Sequence, residues 1–190
     1  MTTDSPTLHD EGPAPVMDIE DRLLQGAIDL HAHAYPEYSL KMRGRVTEIQ
    51  WARLARDAGM RAIVMKSQVF PTVERALVTR QVVPGLEIYG GITLNHSIGG
   101  LNPFAVEVAG ALGGKIVWMP TWSSRNDLSR SRFYLKRMSQ MIRTAEQVAP
   151  DAAAGIEIVE SGKIKPVVQE IIQIAREHGM AVSSGHLSPE

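Results

Sequence analysis

Short apolar runs alternate along the chain with longer segments in which apolar residues recur at helical spacing. The runs are short enough for buried strands, and glycine or proline separates many of them from their neighbours. The predicted strands span residues 27–33, 61–68, 86–95, 115–121 and 180–186. Apolar strands that alternate with helices predict an α/β fold with a parallel sheet covered by helices. Both an open doubly wound sheet and a (β/α) barrel fit this pattern.

The segments between the strands carry the usual signals of helix ends. Thr47 and Gln50 have the spacing of a capping box, which predicts a helix from this point to Gly59. The alternation loosens after the fourth strand. There, residues 128–148 predict a long basic helix and residues 156–164 predict a small hairpin outside the main sheet.

Composition indicates one folded domain behind a short leader. Residues 1–18 predict a disordered leader without the basic start and apolar run of a signal peptide, and residues 19–190 are expected to form the domain. No stretch approaches a membrane span, so we expect a cytoplasmic protein. The net charge of −1 argues against nucleic acid or an anionic membrane as the main partner. Because the chain has no cysteine, any metal must be bound by histidine and carboxylate.

Polar residues follow each of the five apolar strands. In parallel α/β folds the carboxyl ends of the strands carry the reactive groups. The residues at these ends are His31 and His33, Lys66 and Gln68, Asn95 and His96, Thr121, and His186. The sequence therefore predicts a functional site at this edge of the sheet.

Histidines at the ends of the first and last predicted strands are candidate metal ligands. His31 and His33 lie about 6.6 Å apart on one face of a regular strand, close enough to bind one ion. Asp29 shares that face and is expected to accept a ring N–H and so support a ligating histidine. His186 is the third predicted ligand. The alternative is that these are polar strand ends with structural hydrogen bonds. His178, at a helix end where it favours the helix dipole, is expected to be structural or solvated.

Other polar residues at the same edge are candidates for substrate binding. Lys66 can bind an anionic group or stabilise developing charge, although a surface lysine whose stem covers apolar groups fits the sequence equally well. Asn95 is preferred to His96 because of its place in the strand alternation. Asp127 either reaches the site from its loop or is an exposed loop carboxylate.

The sequence Asp-Leu-His-Ala-His at residues 29–33 resembles the amidohydrolase superfamily of metal-dependent (β/α)-barrel hydrolases. The chain is still more similar to an uncharacterised amidohydrolase-like family, over about residues 25–190. The segments that carry this similarity are GMRAIVMKS at 59–67, GGLNP at 99–103, VWMPT at 117–121 and GHLSPE at 185–190.

The resemblance implies a divalent metal, usually zinc, with manganese or iron as alternatives, bound by His31, His33 and His186. It also implies further ligands, commonly a histidine on the sixth strand and an aspartate on the eighth. We therefore expect an incomplete TIM-barrel-like fold with about five of eight strands, truncated at its C-terminal end. The similar proteins carry histidine where this chain has Gln68, and often also at Asp127, and the fourth strand lacks the superfamily's carboxylated lysine. These differences favour a single metal.

The activity implied by the resemblance is hydrolysis of an amide, lactone or ester in a small molecule by a metal-activated water. Lys66, Asn95 and Thr121 would orient the substrate. One alternative is a superfamily member that decarboxylates or isomerises its substrate. Another is an inactive partial barrel that serves as a binding or assembly module, for which a homo-oligomer is expected.

Overall fold

Each of the five predicted strands is present in the structure, a computed structural model that describes residues 19–37, 39–40, 46–130, 139–140, 142–143, 145–148 and 153–189. In chain order the strands are β1 (Ile28–Ala32), β2 (Ala62–Met65), β3 (Glu87–Tyr89), β4 (Gly91–Thr93), β5 (Ile116–Trp118), β6 (Val159–Glu160), β7 (Lys163–Ile164) and β8 (Ala181–Ser183). The α-helices are α1 (Ile19–Leu24), α2 (Glu48–Asp57), α3 (Val73–Val82), α4 (Pro103–Ala111), α5 (Arg125–Arg130), α6 (Ala145–Val148) and α7 (Pro166–Glu177).

The strands form two parallel sheets of three strands, in the orders β1-β2-β3 and β4-β5-β8. Strands β6 and β7 form a separate antiparallel pair. The predictions of a parallel α/β fold and of a hairpin outside the main sheet are therefore confirmed. Within the described residues, the two sheets do not close into a barrel.

A single residue, Gly90, separates β3 from β4 and thereby joins the two sheets. A Cβ on Gly90 would lie only 2.5 Å from the backbone of Thr72, so this close approach requires glycine. Thr72 bridges the two sheets, because its hydroxyl donates to the carbonyl of Met65 at 2.6 Å and accepts from the N–H of Gly91 at 3.0 Å. From β1 to β3 in the first sheet and from β4 to β8 in the second, neighbouring strands follow one another in chain order, without a reversal of direction at the junction.

Helices cover one face of each sheet. Aliphatic residues from α2 and α3 pack on the first sheet; the buried members include Ala52, Ala55, Ala76, Ile63 and Ile88. Aliphatic residues from α4 and α7 pack on the second sheet; the buried members include Val106, Ala109, Val168, Ile171, Ile92 and Val117. The alternation of side chains along β2 and β5 places Val64, Ile116 and Trp118 in a third buried cluster on the opposite face.

Two predictions about the less regular parts of the chain have different outcomes. The prediction of an uninterrupted helix over 128–148 is wrong, because residues 139–140 and 142–143 form turns and irregular structure between α5 and α6. Residues 131–138 and the predicted leader at 1–18 lie outside the described residues. Among the helices that the structure describes, none has the length and hydrophobicity needed to cross a membrane.

Candidate functional site

The imidazoles of His31 and His33 lie together at the carboxyl end of β1. Their ring centroids are 5.3 Å apart, and the ring planes meet at 63°. The ring of His31 also lies 6.3 Å from the indole of Trp118, at the end of β5. The predicted proximity of the two histidines is therefore present in the fold, and β5 contributes the indole of Trp118 beside His31.

The ring of His33 is held by a carboxylate that the sequence analysis missed. His33 Nδ1 lies 3.1 Å from Glu37 Oε2, and the Glu37 side chain is only 4% exposed. Glu37 Oε1 accepts hydrogen bonds from the Ser67 hydroxyl and from the backbone N–H of Gln68, so its position is fixed by the chain after β2. Because the carboxylate accepts from Nδ1, the neutral ring carries its lone pair on Nε2.

His186 is held in the same way by Asp127, in the first turn of α5. The Nδ1–Oδ1 distance is 3.1 Å, and the Asp127 side chain is 15% exposed. The backbone carbonyl of His186 accepts from the Ser124 hydroxyl at 3.1 Å and from the Asn126 amide at 2.9 Å. Of the two interpretations of Asp127, the structure supports the one in which it reaches the site, because α5 turns its carboxylate toward the end of β8.

Lys66 is buried at the end of β2, with only 3% of its surface exposed. Its Nζ lies 3.1 Å from His31 Nε2 and 5.3 Å above the centre of the Trp118 ring. Burial lowers the pKa of Lys66 to about 8. Burial, followed by the charge of Lys66, also lowers the pKa of His31. The interpretation of Lys66 as a surface lysine is therefore wrong.

Gln68, Asn95 and Thr121 form a second group of strand-end residues, the amide–hydroxyl cluster. Asn95 and Thr121 are fully buried. Asn95 Oδ1 accepts from the backbone N–H of Thr121 at 3.0 Å and of Ser123 at 3.3 Å, which identifies Nδ2 as the donor toward Gln68 and the Thr121 hydroxyl. The polar atoms of Asn95 and Thr121 thus cross-link three strand ends and are not presented to a ligand. Gln68 Oε1 accepts from both residues, so the Nε2 amide of Gln68 is directed away from the cluster.

Asp29 differs from its predicted role as a partner of a histidine ring. Its Oδ1 accepts from the backbone N–H of His31 at 2.9 Å. The pairing of β1 with β2 shifts register between Asp29 and Ala32. This shift interrupts the regular alternation on which the shared face of Asp29 and His31 depended. Asp29 nevertheless acts on His31 through its charge, which opposes the lowering of the pKa of that ring.

The remaining described histidines lie outside this group. His96 begins a 3₁₀ turn after β4, and its backbone N–H donates to the Ser123 hydroxyl at 3.1 Å. His178 follows α7, where its Nε2 lies 3.0 Å from Glu107 on α4. His178 therefore has the structural environment that the sequence predicted.

The donor set of the histidine cluster, which we define as His31, His33 and His186, suits a divalent metal in its chemistry. Carboxylates at Nδ1 of His33 and His186 are the partners that orient ligating histidines in metal sites. The third ring, His31, directs Nε2 to Lys66. Within the parts of the chain that the structure describes, no three His, Asp or Glu side chains are grouped closely enough to hold an ion. The donor types therefore suit a metal, whereas their placement in this structure does not bring three of the described side chains to one ion.

A cleft of about 480 Å³ lies next to the end of β8. Its wall combines the start of α5, the hairpin and the segment after β8; the residues include Arg125, Asn126, Ser129, Ile156, Glu157 and Ser188. Asn126 contributes to the cleft and also holds the carbonyl of His186, so the cleft and the histidine cluster share this residue.

These features define an α/β protein in which three imidazoles, two carboxylates and a buried lysine lie near the carboxyl ends of parallel strands. The chain belongs to DUF6282, a family of unknown function, whose model matches residues 26–190. Neither the curated proteins nor the solved structures with which the chain was compared contain a match.

Proposed function

We propose that this protein is a metal-dependent hydrolase of the amidohydrolase type, acting on an amide, lactone or ester bond of a small molecule. The observation that carries the proposal is the pairing of His33 with Glu37 and of His186 with Asp127, at the ends of β1 and β8. A largely buried carboxylate at Nδ1 gives a ligating histidine a fixed tautomer and a more basic second nitrogen.

His31, His33 and His186 would hold the ion, with zinc as the first candidate and manganese or iron as alternatives. When bound, such an ion supplies a water that ionises near neutral pH and polarises the bond to be cleaved. Glu37 and Asp127 hold the protons on Nδ1 of their histidines. Lys66 and the outward amide of Gln68 offer N–H donors to an oxygen of the substrate.

The strand order across the two parallel sheets supports a barrel-type arrangement over a doubly wound one. In a doubly wound sheet the strand order reverses at a switch point, whereas here it follows the chain order across both sheets. Polar groups at the carboxyl ends of strands in chain order are the arrangement from which (β/α) barrels build their active sites.

Metal content tests the proposal. Protein purified without chelator should contain about one equivalent of zinc or manganese per chain, as expected for a mononuclear site. His31→Ala and His186→Ala should lose most of the bound metal. His178→Ala is the control: His178 is bound to Glu107 on α4, so this variant should retain the metal. Unchanged metal content in the first two variants would contradict the proposal. Hydrolysis of a panel of amides, lactones and esters by the loaded protein, with product analysis, then separates hydrolysis from decarboxylation or isomerisation.

An assembly module is a second candidate function, favoured by the two outer strands of the sheets. Ile28 and Leu30 on β1 are 48% and 56% exposed, and Val182 on β8 is 42% exposed. Apolar side chains on outer strands favour pairing with a second copy of the chain. Sedimentation at micromolar concentration should then report a dimer or larger species, and Leu30→Lys should shift it toward monomer. A wild-type monomer would exclude this function.

A further inference from the structure

The hydrogen bond between Lys66 and His31 occupies the nitrogen lone pair that a metal would need. An ammonium group has donors only, so at 3.1 Å the Lys66 Nζ donates and the His31 Nε2 accepts. The proton of the neutral His31 ring is then on Nδ1. A metal ion binds an imidazole through a ring lone pair, which in this tautomer is the one that Lys66 uses.

The Lys66 ammonium is buried and has few polar neighbours. It is 3% exposed, and its stem is enclosed by the fold. Among the described residues no carboxylate lies within ion-pair distance of Nζ, and its neighbours are the His31 ring and the face of Trp118. A divalent ion beside His31 would therefore meet a buried positive charge that has no ion-pair partner among the described residues and on which the Glu37 carboxylate acts only from a longer distance.

We infer that Lys66 competes with the metal for His31, so that binding of the ion and release of the Lys66 ammonium from Nε2 are one event. This inference rests on the proposed function and adds that Lys66 regulates metal binding at the same site. It accounts for the observation that two of the three histidines are bound to carboxylates through Nδ1 while the third is bound to a lysine. Lys66 is in this sense a positioning residue: it holds the His31 ring in place and lowers the affinity of the site for metal.

Zinc titration of the chelator-treated protein by calorimetry tests the competition. Lys66→Met removes the charge and the donor but keeps an unbranched apolar stem against Trp118. We expect it to bind zinc about tenfold more tightly than wild type, since a hydrogen bond to a charged group and a repulsion are both removed. Lys115→Met, at an exposed lysine just before β5, is the matched control and should bind zinc as wild type does.

The tautomer of His31 provides a second readout that does not depend on metal affinity. Long-range ¹H–¹⁵N spectra of the wild-type protein without zinc should show the His31 proton on Nδ1, and those of Lys66→Met should show a larger share of the Nε2–H form. Adding zinc to the wild-type protein should convert His31 Nε2 to a metal-bound nitrogen and change the Lys66 Nζ resonance in the same titration.

The outcomes separate the two proposals. Equal or weaker zinc binding by Lys66→Met than by wild type overturns the competition, and weaker binding would make Lys66 a support or ligand of the ion; either result leaves the proposed function standing. If neither protein binds zinc, manganese or iron, the proposed function fails and the competition fails with it. A His31 proton on Nε2 in the wild-type protein without zinc overturns the competition independently of any metal.

Discussion

The amide–hydroxyl cluster and the histidine cluster lie at the same edge of the sheets, but the fold treats them in opposite ways. Asn95 and Thr121 are 0% exposed, and their hydrogen bonds go to each other, to Gln68 and to backbone N–H groups. In the histidine cluster the His186 side chain is 36% exposed, and its Nδ1 is bound to a carboxylate.

This difference shows that polar residues at strand ends serve two purposes. Buried amides and hydroxyls satisfy one another and hold adjacent strands in register, because an unpaired polar group in the interior is costly. In the histidine cluster, His33 and His186 are bound to carboxylates through Nδ1, and His31 Nε2 is bound to Lys66. The partners of the polar groups, rather than their position on the strand, separate the structural residues from the functional candidates.

The largest effect on stability is expected in the saturated cluster. Asn95→Ala leaves the buried N–H groups of Thr121 and Ser123 without their acceptor and removes the amide that donates to the Thr121 hydroxyl. It should lower the free energy of unfolding by about 3 kcal/mol or more. His31→Ala, at an exposed position, removes one hydrogen bond to Lys66 and should lower it by about 1 kcal/mol while removing bound metal. Urea unfolding followed by circular dichroism measures both. Similar losses in the two variants would remove the distinction between the clusters.

Glu37→Gln tests a carboxylate that is expected both to stabilise the fold and to orient His33 for metal binding. An amide cannot accept from Ser67, Gln68 and His33 together as the carboxylate does, so we expect a stability loss of about 2 kcal/mol. The same change should weaken metal binding by about tenfold to a hundredfold, since His33 loses its anionic partner. Unfolding and metal titration are measured on the same preparation. A loss of stability with unchanged metal affinity would make Glu37 purely structural.

Asp127→Asn should affect metal binding more than stability. Asp127 is held on the first turn of α5 and bonds His186 from a less buried position than Glu37. We expect about tenfold weaker metal binding and a stability loss of about 1 kcal/mol. If the variant binds metal as tightly as wild type, His186 does not depend on this carboxylate for its orientation.

The smallest effect is expected for the ion pair of Arg125 with Glu157. Its two side chains are 61% and 45% exposed, although the atoms are 2.6 Å apart. Because solvent screens such a pair, Arg125→Ala should change the free energy of unfolding by less than about 1 kcal/mol and leave metal binding unchanged. This variant lies on the same helix as Asp127 and serves as its reference. A metal effect as large as that of Asp127→Asn would mean that α5 as a whole, and not its carboxylate, holds His186.

Much of the fold followed from local pattern. Apolar runs bounded by glycine and proline located the parallel strands, and the Thr47–Gln50 capping box is formed at the start of α2. The pattern failed over 128–148, where a favourable composition did not produce one continuous helix. Regular alternation also misplaced Asp29, because a register shift in β1 is a property of its pairing with β2 and leaves no mark in a single strand.

The sequence by itself determined the order of the strands and the polar residue types at their ends, because strand periodicity and turn chemistry act over a few neighbouring residues. Only the tertiary structure decided which of those residues are already satisfied. The deciding bonds join residues far apart in the chain: Lys66 to His31 over 35 positions, Thr121 to Gln68 over 53 and Asp127 to His186 over 59. A hydrogen bond depends on distance and direction in space, which a single strand does not determine. For this reason only the fold separates the cross-linked amide–hydroxyl cluster from the histidine cluster.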